Sequence, residues 1–147
     1  MGFLTSHGPR SARIAIAARL LLGAALIAAG TGHLTFARLT FQAQVPSWVP
    51  LDADFVVVAS GMVEILLGLG LVIPSPFHRT VGLATALFFV VIFPGNVAQF
   101  VEHTDAFGLT SDMARGIRLA FQPLLVLWAL WSTRALSLFV HDKRARG

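Results

Sequence analysis

Four apolar segments, each close to the length needed to cross a bilayer, constrain this chain more than any other feature. They cover about residues 14–34, 55–73, 80–101 and 116–131, and a helix crosses roughly 30 Å of hydrocarbon in about 20 residues. Hydrophobic residues make up 56% of the 147 residues and charged residues 12%, which is more apolar surface than a soluble domain of this size can bury. No segment alternates with the period of a membrane-spanning strand, which argues against a β-barrel. We therefore predict an all-α membrane protein, a four-transmembrane-helix bundle forming a single domain over residues 1–147.

The distribution of lysine and arginine predicts that both termini face the cytoplasm. Cytoplasmic loops carry the excess of these residues. With the N-terminus inside, the inner set is Arg10, Arg13, Arg19, Arg79, Arg134, Lys143, Arg144 and Arg146, and the outer set is Arg38, Arg115 and Arg118. These basic residues end apolar segments and form no stripe among aromatic residues, so nucleic-acid binding is excluded as a function.

The segments at the ends of the predicted spans carry further expectations. Arg10 and Arg13 before an apolar run, with Ala28-Ala29-Gly30 after it, are also typical of a signal peptide, but we expect a retained first span. The outer connection 35–54 is apolar enough to lie in the membrane interface, and its prolines limit any helix there to a short one. Residues 132–147 are expected to form a basic amphipathic tail on the membrane surface.

Polar side chains inside the predicted spans recur with the helical period, so each helix points them in one direction. An ionisable group within a bilayer is costly and marks a site or a buried pair by default. Glycines that would allow close helix approach share the faces of His33 and Glu64; they are Gly23, Gly30, Gly61 and Gly68. Glu64 falls near the middle of its span and the other polar groups in the outer third. The candidate pocket residues are His33, Trp48, Glu64, Asn96, Gln99, Arg118 and Gln122.

Three interpretations of this polar convergence stay open: a hydrogen-bonded structural core with Glu64 paired to Arg118 or His33, a ligand-holding pocket, and a proton-relay site. Trp48 is either an aromatic-belt residue or a lid over the pocket. Pro94 and Pro123 remove backbone hydrogen bonds, which in lipid requires polar partners nearby. The chain has no cysteine and His33 is the one histidine within a predicted span, so we predict no metal site, no covalently bound cofactor and no catalytic residue.

Several short segments, in order, resemble the DoxX family of small bacterial membrane proteins. The resemblance runs from about Arg19 to Arg134. It is carried by Ala29–Leu34, Val45–Pro50, Ser60–Leu71, Phe93–Asn96, Arg118–Gln122, Trp128 and Trp131. It implies a four-helix fold in the bacterial plasma (inner) membrane and an association with redox systems such as thiosulfate:quinone oxidoreductase. Because this chain has no cysteine, it cannot carry out the thiol chemistry that is available to cysteine-bearing relatives.

The function expected from the resemblance and the polar convergence is that of a non-catalytic accessory subunit of a membrane redox or respiratory assembly. The polar pocket in its outer half could hold a quinone or lipid, with an apolar wall and a few convergent polar groups. Its expected partners are membrane lipids and other membrane subunits of a redox complex. The alternatives are a small proton-coupled exporter that uses Glu64, and a membrane subunit of a quinone-linked oxidoreductase.

Overall fold

A computed structural model describes residues 8–106, 108 and 110–139, and this part of the chain is helical with no strand. Its elements are α1 (Pro9–Leu34), α2 (Arg38–Gln42), α3 (Ala53–Val72), α4 (His78–Val101) and α5 (Asp112–Ser132). Helices α1, α3, α4 and α5 are long and apolar enough to cross a membrane. The predicted class, an all-α membrane protein with four spanning helices, is confirmed, and the chain is a multi-pass membrane protein.

The helices extend beyond the predicted apolar cores, mostly at their N-terminal ends. Asp52 and Ser111 precede α3 and α5 and accept hydrogen bonds from the backbone N–H groups of Phe55 and Ala114. These caps satisfy donors that a helix start otherwise leaves without a partner. Polar residues that begin a helix do not contribute to an apolar pattern. The predicted boundaries therefore fell two to five residues inside the true starts.

Two closely packed helix pairs build the bundle: α1 packs mainly on α3 and α4 mainly on α5. The α1–α3 contact is made through the predicted glycines. A Cβ atom added at Gly30 would lie 2.5 Å from the Gly61 carbonyl oxygen, and one at Gly68 would lie 2.7 Å from the Gly23 carbonyl oxygen. Only glycine permits such backbone approach, so the face shared by these residues holds α1 and α3 together.

The two pairs meet in the half of the bundle that contains the α3–α4 connection. A core cluster there includes Leu22 and Leu26 of α1, Leu71 of α3, Phe89 of α4 and Ala129 of α5. Outside this core, large side chains exposed along the helices are apolar, for example Leu21, Leu66, Leu87 and Leu124. Such a surface is suited to hydrocarbon.

Trp128 joins the pairs in this half, because its indole Nε1–H donates to the Ala18 carbonyl oxygen at 2.9 Å. Trp128→Phe should lower the free energy of unfolding by about 1 kcal/mol, the usual net value of one hydrogen bond. Detergent-solubilised protein titrated with SDS and followed by circular dichroism would measure it. Trp131→Phe is the matched control, since Trp131 is 47% exposed. An equal loss in both variants would contradict a specific role for the bond.

The segments flanking the spans follow the predictions in part. The connection after α1 contains the five-residue helix α2, in agreement with the prediction that any helix in this connection is short. Arg38 of α2 donates two hydrogen bonds to Asp54 and fastens α2 to α3. At the other terminus the chain turns at Arg134 with a φ of 58° and resumes helix over 136–139, so a break interrupts the expected tail after α5. Residues 140–147 and Met1 lie outside the described residues.

Candidate functional site

A cavity of about 730 Å³ lies between the two helix pairs, in the half of the bundle next to the connections 35–52 and 102–111. Its walls come from the second half of α1, the first half of α3, the second half of α4 and the first half of α5, and the connection after α2 covers one end. Six of the seven predicted residues line it: His33, Trp48, Glu64, Asn96, Arg118 and Gln122. Gln99 is not among the lining residues.

The α1–α3 wall carries Glu64, His33 and Ser60. The side chain of Glu64 is 8% exposed, and Nδ1 of His33 lies 3.6 Å from its Oε2. Nδ1 also lies 3.1 Å from the Ser60 oxygen, and the Ser60 hydroxyl donates its proton to the Val57 carbonyl at 3.0 Å. The tautomer of the His33 ring sets which of Nδ1 and the Ser60 hydroxyl donates in this contact. Oε2 of Glu64 is buried with no hydrogen-bond partner in the protein.

These three residue types also occur in nucleophilic triads, but their geometry here differs. A triad places the hydroxyl on one ring nitrogen and the carboxylate on the other, so that the ring can pass a proton between them. In this protein Ser60 and Glu64 both face Nδ1 of His33. Ser60 therefore cannot be activated by His33 as in a hydrolase, and the cluster is suited to binding.

The α4–α5 wall carries Asn96 and Gln122 at its centre. Asn96 donates to Gln122 at 2.9 Å, and Gln122 donates to the Phe89 carbonyl at 2.8 Å. Pro94 lacks the N–H that would bond the Val90 carbonyl in a regular helix, and the carbonyl bonded by Gln122 is that of Phe89, one residue earlier. The amide pair thus adds a side-chain hydrogen bond to the α4 backbone one residue before the carbonyl that Pro94 leaves without its helical donor.

Arg118 lies on the same wall, nearer to the connection after α2. Its guanidinium donates to the amide oxygens of Gln99 at 3.1 Å and Gln44 at 3.0 Å. Gln99 itself donates to the Thr104 carbonyl. This bond fixes the amide whose oxygen accepts from the guanidinium, so Gln99 positions Arg118 without lining the cavity. Of the two predicted partners of Glu64, the one that it contacts is His33, whose Nδ1 lies 3.6 Å from Oε2. Arg118 is held by two neutral amides at the edge of the cavity.

Gln44 was missed as a site residue, because the connection in which it lies was expected to contribute only Trp48. The sequence feature that could have identified Gln44 is an amide side chain in an otherwise apolar interfacial segment. Phe41, also missed, packs edge-on against His33 with ring centroids 3.5 Å apart. Ser60 adjoins the predicted face of Glu64 one turn earlier. Phe41 and Gln44 bring α2 and its following connection into the site.

The cavity reaches the surface of the bundle, because several side chains that line it are also exposed. Trp48 and Val91 are each 65% exposed and Phe121 is 49% exposed. A long apolar group can therefore reach the apolar surface of the bundle from the cavity.

Arg115, one turn before Arg118, turns away from the cavity. It donates to Asp105 at 2.8 Å and to Asp112 at 2.7 Å, and Asp112 also contacts His103 at 2.8 Å. This network closes the connection 102–111 onto α5. Among the described residues, no group of three or more His, Asp or Glu side chains is placed to hold a metal ion.

A family model described as a domain of unknown function matches residues 22–133. The match includes every residue that lines the cavity, from Leu22 to Leu125. No curated protein and no solved structure matches the chain.

Proposed function

The chain belongs to the DUF8561 family, a domain of unknown function, and we propose a role for it from the geometry of the site. It holds a lipid-soluble molecule with a polar head, of quinone or lipid type, between its helix pairs. In this proposal it is a non-catalytic accessory subunit of a membrane redox or respiratory assembly. The carrying observation is the cavity of about 730 Å³ in which six polar or aromatic residues selected from the sequence meet. Its size falls within the usual range of small-molecule sites.

The composition of the walls supports a ligand that is mainly apolar. Leucine, valine, alanine and phenylalanine side chains make up most of the lining, and the polar groups are confined to two clusters on opposite helix pairs. Lining residues such as Val91 and Phe121 are also exposed, which gives an apolar tail a route from the cavity to the lipid-facing surface. A soluble metabolite would have to leave water to reach this position, whereas a membrane-soluble one is already there.

The resemblance to the DoxX family supports the redox setting and the bacterial inner membrane. The distribution of lysine and arginine supports cytoplasmic termini, with the cavity in the outer half. The matched segments of that resemblance, Ser60–Leu71 and Phe93–Asn96, include Glu64 and Asn96 of the cavity walls. Reporter fusions at Met1, Gly147 and within 102–111 test the orientation. A periplasmic signal from either terminus would contradict it.

Titration of the purified protein in nanodiscs with a short-tailed benzoquinone tests the ligand. Trp48 lines the cavity, whereas Trp128 and Trp131 lie in the other half of the bundle. We expect saturable quenching of tryptophan fluorescence, most of it lost in Trp48→Phe, with calorimetry still reporting binding in that variant. Absence of binding by calorimetry in the unsubstituted protein would overturn the quinone proposal, and mass spectrometry of co-purifying subunits tests the assembly.

Proton-coupled export is the second candidate, favoured by one observation. Glu64 is a buried carboxyl group near the middle of a spanning helix and lines the cavity, as a proton-exchanging group of an exporter would. Uptake of a lipophilic cation into proteoliposomes under a pH gradient distinguishes an exporter from an accessory subunit. Transport lost in Glu64→Gln would favour the exporter over the accessory subunit.

A further inference from the structure

We propose that the cavity takes a long-chain carboxylic acid, bound as the carboxylate at Arg118, in preference to a neutral amphiphile with the same chain. The inference rests on the proposed function, since it names the head group and the chain of the lipid-soluble molecule held between the helix pairs. It comes from the charged side chains of the lining and from the way polar and apolar lining residues are distributed along the helices.

Among the described residues that line the cavity, Arg118 is the only lysine or arginine, and it is half-buried. It lies within the spanning helix α5, where a charge is costly. A guanidinium keeps its proton in proteins, so the positive charge remains at this wall. A carboxylate beside it lowers the cost, because the planar fork of a guanidinium can donate two parallel hydrogen bonds to one carboxylate.

The bonds that hold Arg118 leave its charge in place. Arg115, one turn earlier, donates to the carboxylates of two aspartates. Arg118 instead donates to the amide oxygens of Gln99 at 3.1 Å and Gln44 at 3.0 Å. An amide oxygen carries no net charge, so these two bonds orient the guanidinium without neutralising it. A donor that is oriented before the ligand arrives reduces the entropic cost of binding.

The acidic side chain of the described lining is Glu64, and it belongs to the other helix pair. Glu64 lies near the middle of α3, with Oε2 buried against His33. Arg118 lies within two turns of the start of α5, nearer to the connections that cover this end of the bundle. A carboxylate bonded to Arg118 is therefore placed on the side of the cavity opposite Glu64.

The lining becomes apolar with distance from this end. Along α1 it begins at His33 and continues through Ala29 and Leu26 to Leu22, a length of roughly 16 Å at 1.5 Å per residue. Leu22 and Leu26 belong to the core cluster in the other half of the bundle. An acyl chain whose head is at Arg118 can follow this surface, where its methylene groups replace hydrocarbon contacts that they had in the bilayer.

The test uses stearic acid that carries a nitroxide close to its head, and the methyl ester of the same probe, each added to the protein in nanodiscs. At a pH of about 9 the acid is ionised even where a membrane surface raises its pKa, while the ester is neutral. The nitroxide quenches the fluorescence of Trp48, which lines the cavity. The part of the quenching that saturates, and that excess unlabelled stearic acid removes, measures occupancy, and Trp48→Phe gives the background.

We expect the acid to bind at least about tenfold more tightly than its ester, because hydrogen bonds to a charged group are the strong ones. In Arg118→Met this preference should fall below about threefold. A general loosening of the cavity would change the affinity of both probes, so their ratio reports the charge. Arg79→Met, at the end of the bundle away from the cavity, is the matched control and should retain the preference.

Equal saturable binding of acid and ester would overturn the inference and leave the proposed function standing, since the cavity would then hold neutral amphiphiles. If neither probe bound saturably, the inference would also fail, and the benzoquinone titration would decide the proposed function separately. A preference that persisted in Arg118→Met would contradict the placement of the head. If that variant does not fold, the comparison of acid and ester in the unsubstituted protein still decides the question.

Discussion

Gly61→Ala is expected to destabilise the protein by about 3 kcal/mol, the upper end of the cost of overpacking a well-packed interior. The added Cβ atom would lie 2.6 Å from the Cβ of His33 and 3.0 Å from the carbonyl oxygen of Gly30. Both obstacles are part of the α1 backbone or directly attached to it, so the helices must separate. Since α1 and α3 form one cavity wall, ligand binding should fall with stability. SDS titration followed by circular dichroism measures the first effect and calorimetry the second.

Gly116→Ala is the matched control for this change. The same methyl group at position 116 of α5 would lie 3.5 Å from a ring carbon of Phe100, an ordinary contact. Replacement of a glycine inside a helix by alanine also raises helix stability by up to about 1 kcal/mol. Gly116→Ala should therefore be neutral or stabilising. If Gly61→Ala were equally harmless, the close approach of α1 and α3 would not hold the bundle together.

Arg118→Met is expected to weaken binding of the short-tailed benzoquinone by roughly ten- to a hundredfold, because a hydrogen bond from a charged donor contributes about 1.5–3 kcal/mol. Methionine retains much of the apolar stem and removes the positive charge and its donors. The variant also leaves the oxygens of Gln44 and Gln99 without their donor. Unfolding should therefore be measured beside calorimetric binding, at a temperature where the variant is fully folded.

Arg79→Met provides the control, since Arg79 is exposed near the start of α4, at the end of the bundle away from the cavity. It removes the same charge without touching the site, so affinity should remain unchanged. Equal affinities of all three proteins would show that Arg118 only supports the fold. A parallel loss in both variants would indicate a general effect of net charge on ligand partitioning.

The polar part of the site was predictable because the bilayer makes each polar residue conspicuous. Glu64, Asn96, Arg118 and Gln122 interrupt apolar helices with helical spacing, and in hydrocarbon such groups must face the interior. The glycines beside His33 and Glu64 were predictable as contact residues for the same reason. Gln44 and Phe41 were not, because an interfacial connection can place its side chains toward water, lipid or protein without a change in its pattern.

The sequence by itself determined the number of spanning helices, their approximate bounds and the faces they bury, because each follows from the local period of apolar and polar residues. Only the tertiary structure decided the partners. It paired α1 with α3 and α4 with α5 and left a cavity between the pairs. It brought Arg118 to Gln99 and Gln44, and it placed Oε2 of Glu64 beside His33 without a hydrogen-bond partner. Periodicity specifies the direction of a side chain on its own helix, whereas the group it meets depends on how separate helices pack.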